Sequence, residues 1–81
     1  MIVDLTKMKV GESGTVVSLE GGGGFIQRLQ NLGIRPGSKI TKVNAHFWRG
    51  PVTIQAGGTN VALGFGMASK VMIEVDRKNG E

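Results

Sequence analysis

The sequence predicts a small, mainly β domain, a sandwich or barrel of about five strands that carries one short amphipathic helix. Short apolar segments recur between turn signals at the spacing of roughly eight to twelve residues typical of small all-β folds. Fourteen of the 81 residues are glycine, against a usual share of about 7%, and most fall at the joins between those segments. Only one segment shows helical spacing.

The first strand is expected over Thr15 to Glu20, after Gly14. The helix follows in Phe25-Ile26-Gln27-Arg28-Leu29-Gln30-Asn31-Leu32, where Phe25, Ile26, Leu29 and Leu32 make one apolar stripe. Gly33 suits the left-handed C′ position, which returns Ile34 onto Leu29 in a Schellman motif, and Pro36 forbids further helix. Lys39 to Ala45, containing Ile40 and Val43, is the second strand. Val52, Ile54 and Ala56 alternate with Thr53 and Gln55 in the third, and Val61, Leu63 and Phe65 repeat the period of two in the fourth. Gly57 to Asn60 is the hairpin loop between them. A helical turn is expected over Gly66 to Lys70, before a last strand with Val71, Ile73 and Val75 on one face and Glu74 on the other. Residues 1–76 are expected to form one domain and residues 77–81 a disordered tail.

Composition excludes several chemistries. The chain has no cysteine, so disulfides, thiolate zinc sites, cysteine-ligated iron–sulfur clusters and a cysteine nucleophile are all ruled out. With His46 as its single histidine, it cannot build a two-histidine metal site alone. Glu74 and Asp76 alternate on a strand and read as surface carboxylates, so no catalytic constellation emerges and no enzyme is expected. Ten Lys and Arg against six Asp and Glu give a net charge of +4, but the cations are dispersed and do not choose among anionic partners. No run approaches the length of a membrane span, and the N-terminus lacks the plan of a signal peptide, so a cytosolic, non-inserting protein is expected.

Two local features invite a binding reading. Gly21 to Gly24 precede the helix, yet the P-loop Lys-Ser/Thr and the third glycine of a dinucleotide fingerprint are missing, which leaves a flexible connection. His46-Phe47-Trp48-Arg49-Gly50-Pro51 gathers the single Trp, a Phe and an Arg at a loop tip, the residue types that dominate interface hot spots. Phe47, Trp48 and Arg49 are therefore candidate partner-binding residues, with Phe25, Arg28 and Leu32 as a second face. The alternative for Phe47 and Trp48 is a lid over an open end of the barrel. No cofactor is expected within the chain. Weak divalent-metal binding is open to His46 if a second copy supplies further ligands across an oligomer interface. Homo-oligomers through exposed strand edges are a further candidate, whereas four aromatics in all argue against a nucleic-acid stacking surface.

Leu29-Gln30-Asn31-Leu32-Gly33-Ile34-Arg35-Pro36-Gly37-Ser38-Lys39-Ile40 resembles the Leu-Gly-Ile/Leu-x-Pro-Gly-x-x-Val block of the FeoA family. The likeness extends through Leu5 to Gly11, Gly14 to Val17, Gly50-Pro51-Val52 and Val71 to Val75, and so covers roughly Asp4 to Val75. Where many members carry a Leu-Arg pair late in the fourth strand, this chain has Leu63-Gly64, and a role held by that Arg does not transfer. The resemblance implies an SH3-like small β-barrel serving as a cytosolic accessory of ferrous iron transport. Its partner would be the FeoB transporter, a membrane protein with a GTPase domain, whose assembly or GTP cycle it would modulate. The same block is similar to the C-terminal SH3-like module of DtxR-type repressors, which implies a metal-responsive or nucleic-acid-binding domain as the alternative.

Overall fold

The computed structural model describes residues 1–45 and 49–76. Six strands form one antiparallel sheet: β1 (Ile2–Asp4), β2 (Ser13–Leu19), β3 (Lys39–Ala45), β4 (Val52–Ala56), β5 (Thr59–Leu63) and β6 (Val71–Val75). Their spatial order is β1-β6-β2-β3-β4-β5, so β1 and β5 are the ends of the ladder. Helix α1 (Gly23–Asn31) joins β2 to β3, and the short α2 (Phe65–Ala68) joins β5 to β6. The core combines Val16, Ile40, Val52, Ile54, Val61, Leu63, Val71 and Ile73 from the strands with Leu29 from α1 and Ile34 behind it.

The mainly β reading, the helix after the first long strand and the helical turn before the last strand are all present. A sixth strand, β1, is added to the five expected, because Ile2, Val3 and Asp4 pair with Glu74, Ile73 and Met72 of β6. Three residues are too few for alternation to announce a strand. Phe65 begins α2 instead of ending a strand, and Gly64 is the extended residue before that helix. The β4–β5 connection is also tighter than expected: Ala56 pairs with Thr59, leaving Gly57 and Gly58 as a two-residue turn.

Helix α1 starts two residues before the apolar stripe. Gly22 is its N-cap and Gly23 and Gly24 form its first turn, with no side-chain cap. Glycine is a poor helix former, so this end depends on packing: Leu29 is fully buried, and Phe25 packs against the core. The other end is strongly defined. Ile34 N donates to Leu29 O at 2.9 Å and Gly33 N to Gln30 O at 3.0 Å, the paired bonds of a Schellman motif. Gly33 supplies the required positive φ of 88°, and both Leu29 and Ile34 are completely buried.

Another glycine is fixed by space. A Cβ on Gly14 would lie 2.4 Å from Ile73 Cγ2 and 2.6 Å from the Glu74 carbonyl oxygen, so β2 can approach β6 this closely only without a side chain there.

Two bulges shape the sheet. The β2–β6 register runs Val16↔Ile73 and then Ser18↔Met72, which leaves Val17 unpaired. The β3–β4 register runs Lys42↔Ile54 and then Asn44↔Thr53, which leaves Val43 unpaired. Both valines are exposed, and such bulges bend and twist the strand that carries them. Within β3 the inward positions are Ile40 and Lys42, and Val43 faces out.

Lys42 is the one buried charged residue among those described, at 3% exposure. Its Nζ donates to three backbone carbonyls, Leu5 O at 3.1 Å, Thr6 O at 3.3 Å and Met8 O at 2.6 Å. These belong to a 3₁₀ turn, Leu5–Lys7, and the residue after it. Asp4 caps the turn by accepting from Thr6 N at 2.8 Å. The ammonium thus staples the segment after β1 to the sheet while Leu5 and Met8 enter the core. Burial holds the amine below its usual 10.5, against the opposing pull of the Asp4 and Glu12 carboxylates.

Lys42→Met is expected to lower stability by about 2–3 kcal/mol in a denaturant melt, since it strands carbonyl acceptors that a thioether cannot satisfy. The pH dependence carries its own sign. Because the folded amine has the lower pKa, the unfolded chain binds more protons between that value and 10.5. The stability of the wild type should therefore rise relative to Lys42→Met as pH climbs through that interval.

Candidate interaction surfaces

The loop between β3 and β4 and one side of α1 hold the residues singled out for partner binding. His46, Phe47 and Trp48 lie outside the described residues. Arg49 is described: it is exposed, has a positive φ of 61°, and places its guanidinium carbon 5.6 Å from the centroid of the Phe65 ring. A cation over an aromatic face at an exposed site contributes about 0.5–1 kcal/mol. The loop is thus tied to the start of α2.

Phe25, Arg28 and Leu32 stand three and four residues apart on one side of α1. They do not share one environment. Phe25 is half-buried and packed on the core, whereas Arg28 and Leu32 are exposed. The free surface of this face is therefore an Arg beside a Leu that is 40% exposed. Lys70, in the turn after α2, sets its Nζ 5.2 Å from the Phe25 ring centroid. The corner from Phe65 to Lys70 consequently touches both surfaces, meeting Arg49 at one end and Phe25 at the other.

A third feature escaped the sequence. An open groove of about 510 Å³ is lined by Gly33, Arg35, Ser38, Lys39, Ala56 and Gly57. Its wall carries three local hydrogen bonds: Ser38 Oγ donates to Gly33 O at 3.1 Å, Arg35 N donates to Ser38 Oγ at 3.3 Å, and Arg35 Nη2 donates to Gln30 O at 3.2 Å. Gly33-Ile34-Arg35-Pro36-Gly37 is legible as a turn, but its meeting with the distant Gly57 turn has no local signal.

Among the described residues the arrangement supplies cation–π and hydrogen-bond contacts. Among the described residues no group of three or more His, Asp or Glu is placed to hold a metal ion. The buried amine of Lys42 already donates to three carbonyls. Among the described residues no helix is long and apolar enough to cross a membrane.

The FeoA domain model matches residues 3–75, nearly the whole chain. The chain belongs to the FeoA family. It is 40% identical over 73 residues to a Methanocaldococcus jannaschii protein named "Putative Fe(2+) transport protein A", covering 90% of this chain and 87% of that one. A crystal structure of an iron uptake regulatory protein, FeoA, superposes with a TM-score of 0.87 at 37% identity, over 93% of this chain and 99% of the other. The fold is also that of Stenotrophomonas maltophilia FeoA complexed with zinc, described as an SH3 domain protein, with a TM-score of 0.78 at 23% identity over 93% and 96% of the two chains. The mainly β, SH3-like expectation stands, with the ladder left open between β1 and β5. A manganese-dependent transcriptional repressor shares the fold over 89% of this chain but only 40% of its own, with a TM-score of 0.82 at 18% identity.

Arg49→Gly offers a direct check on the loop. Glycine relieves the left-handed backbone while the cation–π contact is lost, and the two effects are of similar size. Its unfolding free energy should stay within about 1 kcal/mol of wild type in a thermal or denaturant melt.

Proposed function

We propose that this FeoA-family chain is a cytosolic interaction module of ferrous iron transport. It docks on the cytosolic part of an FeoB-type membrane GTPase and modulates the transporter's assembly or GTP cycle. Family membership supplies the transport context. The single observation that supports the mode of action is a pair of exposed cations set over half-buried aromatic rings at one corner, Arg49 on Phe65 and Lys70 on Phe25. Arg and aromatic side chains are the types enriched in binding hot spots.

In this reading Phe47, Trp48 and Arg49 anchor the contact, and Phe25, Arg28 and Leu32 form the second face, in which Phe25 supports and Arg28 and Leu32 touch. His46 is the residue open to a weak divalent ion shared between two copies; the zinc seen with the Stenotrophomonas maltophilia protein belongs to that protein. The likeness to the repressor, at 18% identity, carries the fold alone.

The test is ferrous iron uptake in cells that hold an FeoB-type transporter and lack their own accessory chain, read beside co-purification of the two proteins. The double variant Trp48→Ala, Arg49→Ala, shown to be folded by its melt, should lose most of the uptake. It should also retain the transporter at least about tenfold less well, the scale of hot-spot truncation. Wild-type uptake by this variant would refute the loop assignment. Failure of the wild-type chain to co-purify with the transporter would refute the docking.

A further inference from the structure

The groove beside the end of α1 has a chemical character of its own. Arg35 and Lys39 are two of its six lining residues, and no lining residue is acidic. Space above it is open: a Cβ built on Gly33 or Gly57 would meet nothing within 4 Å, so the wall and the opposite turn present bare backbone. Arg35 is positioned by the contact of its Nη2 with Gln30 O, and the Ser38 hydroxyl braces the turn that carries it. A guanidinium that already holds one backbone hydrogen bond loses less freedom when it meets a carboxylate.

Lys39 shows what such a rim takes. Its ammonium lies 2.5 Å from the Asp76 carboxylate, and both side chains remain substantially exposed. The chain's own carboxylate therefore sits on one of the two cations, where an incoming acid would have to displace or share it.

We propose that this groove is a docking site for an acidic segment of a partner protein, whose carboxylates span Arg35 and Lys39, with Asp76 acting as a built-in competitor for Lys39. Charge complementarity selects the occupant. Two cations facing a short open groove suit a few carboxylates on an extended segment, whereas a nucleic acid strand calls for a longer cationic track and stacking aromatics. The proposal goes beyond docking on the transporter and does not depend on it, since any partner with an exposed acidic segment would be recognised.

The experiment is an amide-shift titration by NMR of the folded chain with a short Glu/Asp peptide, and with a Gln/Asn peptide of the same length as control. Shifts should concentrate at Gly33, Arg35, Ser38, Lys39 and Gly57 and weaken as salt rises. Arg35→Ala should raise the Kd by about fivefold, the upper range for an exposed ion pair. Asp76→Asn should lower the Kd by about twofold, because Lys39 is freed. Both positions are exposed, and the spectrum of each variant reports its fold directly. Equal shifts with the neutral peptide, shifts scattered away from the groove, or an Asp76→Asn Kd that is unchanged or higher would overturn the proposal. So would an oligothymidylate that produces the same shifts at lower concentration, since the groove would then be a phosphate site. These readouts contain no transporter, so their failure is separate from a failure of co-purification.

Discussion

Three carbonyl oxygens around the ammonium of Lys42 organise the domain. The N-terminal segment is too short to hold its place by pairing alone, since β1 has three residues. Stapling the next turn to β3 brings Leu5 and Met8 into the core, and α2 packs against the same turn. A buried ammonium is costly unless its donors are matched, and here all three are used. The arrangement makes a polar group part of the core's geometry. Gly11 N donates to the carbonyl of Lys42, and the Lys42 amide donates to Glu12 O, so backbone and side chain of one residue hold the chain before β2 at both ends.

Once that cap is fixed, α2 becomes a short strut between surfaces. Phe65 presents its ring to Arg49, and the turn that follows presents Lys70 to Phe25. Neither contact is strong, but they share an element whose Ala68 is fully buried. Among the described residues, Arg49 and Lys70 are thereby set over rings next to the core. The low conformational cost of aromatic and Arg anchors is what makes such positions useful for binding.

The readable parts of the sequence were those where a pattern is local. Leu29, Gly33 and Ile34 announce a helix stop because the motif is complete within six residues, and the structure shows both its hydrogen bonds. Val52, Ile54, Val61, Leu63, Val71 and Ile73 announce their inward face by alternation, and all are buried. Lys42 could not be read this way. A lysine in a strand is ordinarily solvated, and its partners, Leu5 to Met8, are more than 30 residues away. Val43, the unpaired residue of the β3 bulge, is exposed although apolar. Gly14 was one glycine among many until its distance to Ile73 was known. The groove of Arg35 and Lys39 depends on the β4–β5 turn, which the pairing of Ile40 with Ala56 brings beside Lys39, and was equally hidden. The loop tip was visible as a concentration of aromatic and basic residues, but the contact made by Arg49 required the position of Phe65.

The two bulges also bear on how the chain can change its length. At Val17 and Val43 one residue stands outside the ladder while its neighbours pair with consecutive residues opposite. Removing such a residue would return the strand to plain alternation, with Lys42 still facing Ile54 and Asn44 still facing Thr53. Length variation of one residue is therefore absorbed at these two valines without turning any core side chain outward. Elsewhere in the same strands an insertion or deletion would reverse every face beyond it.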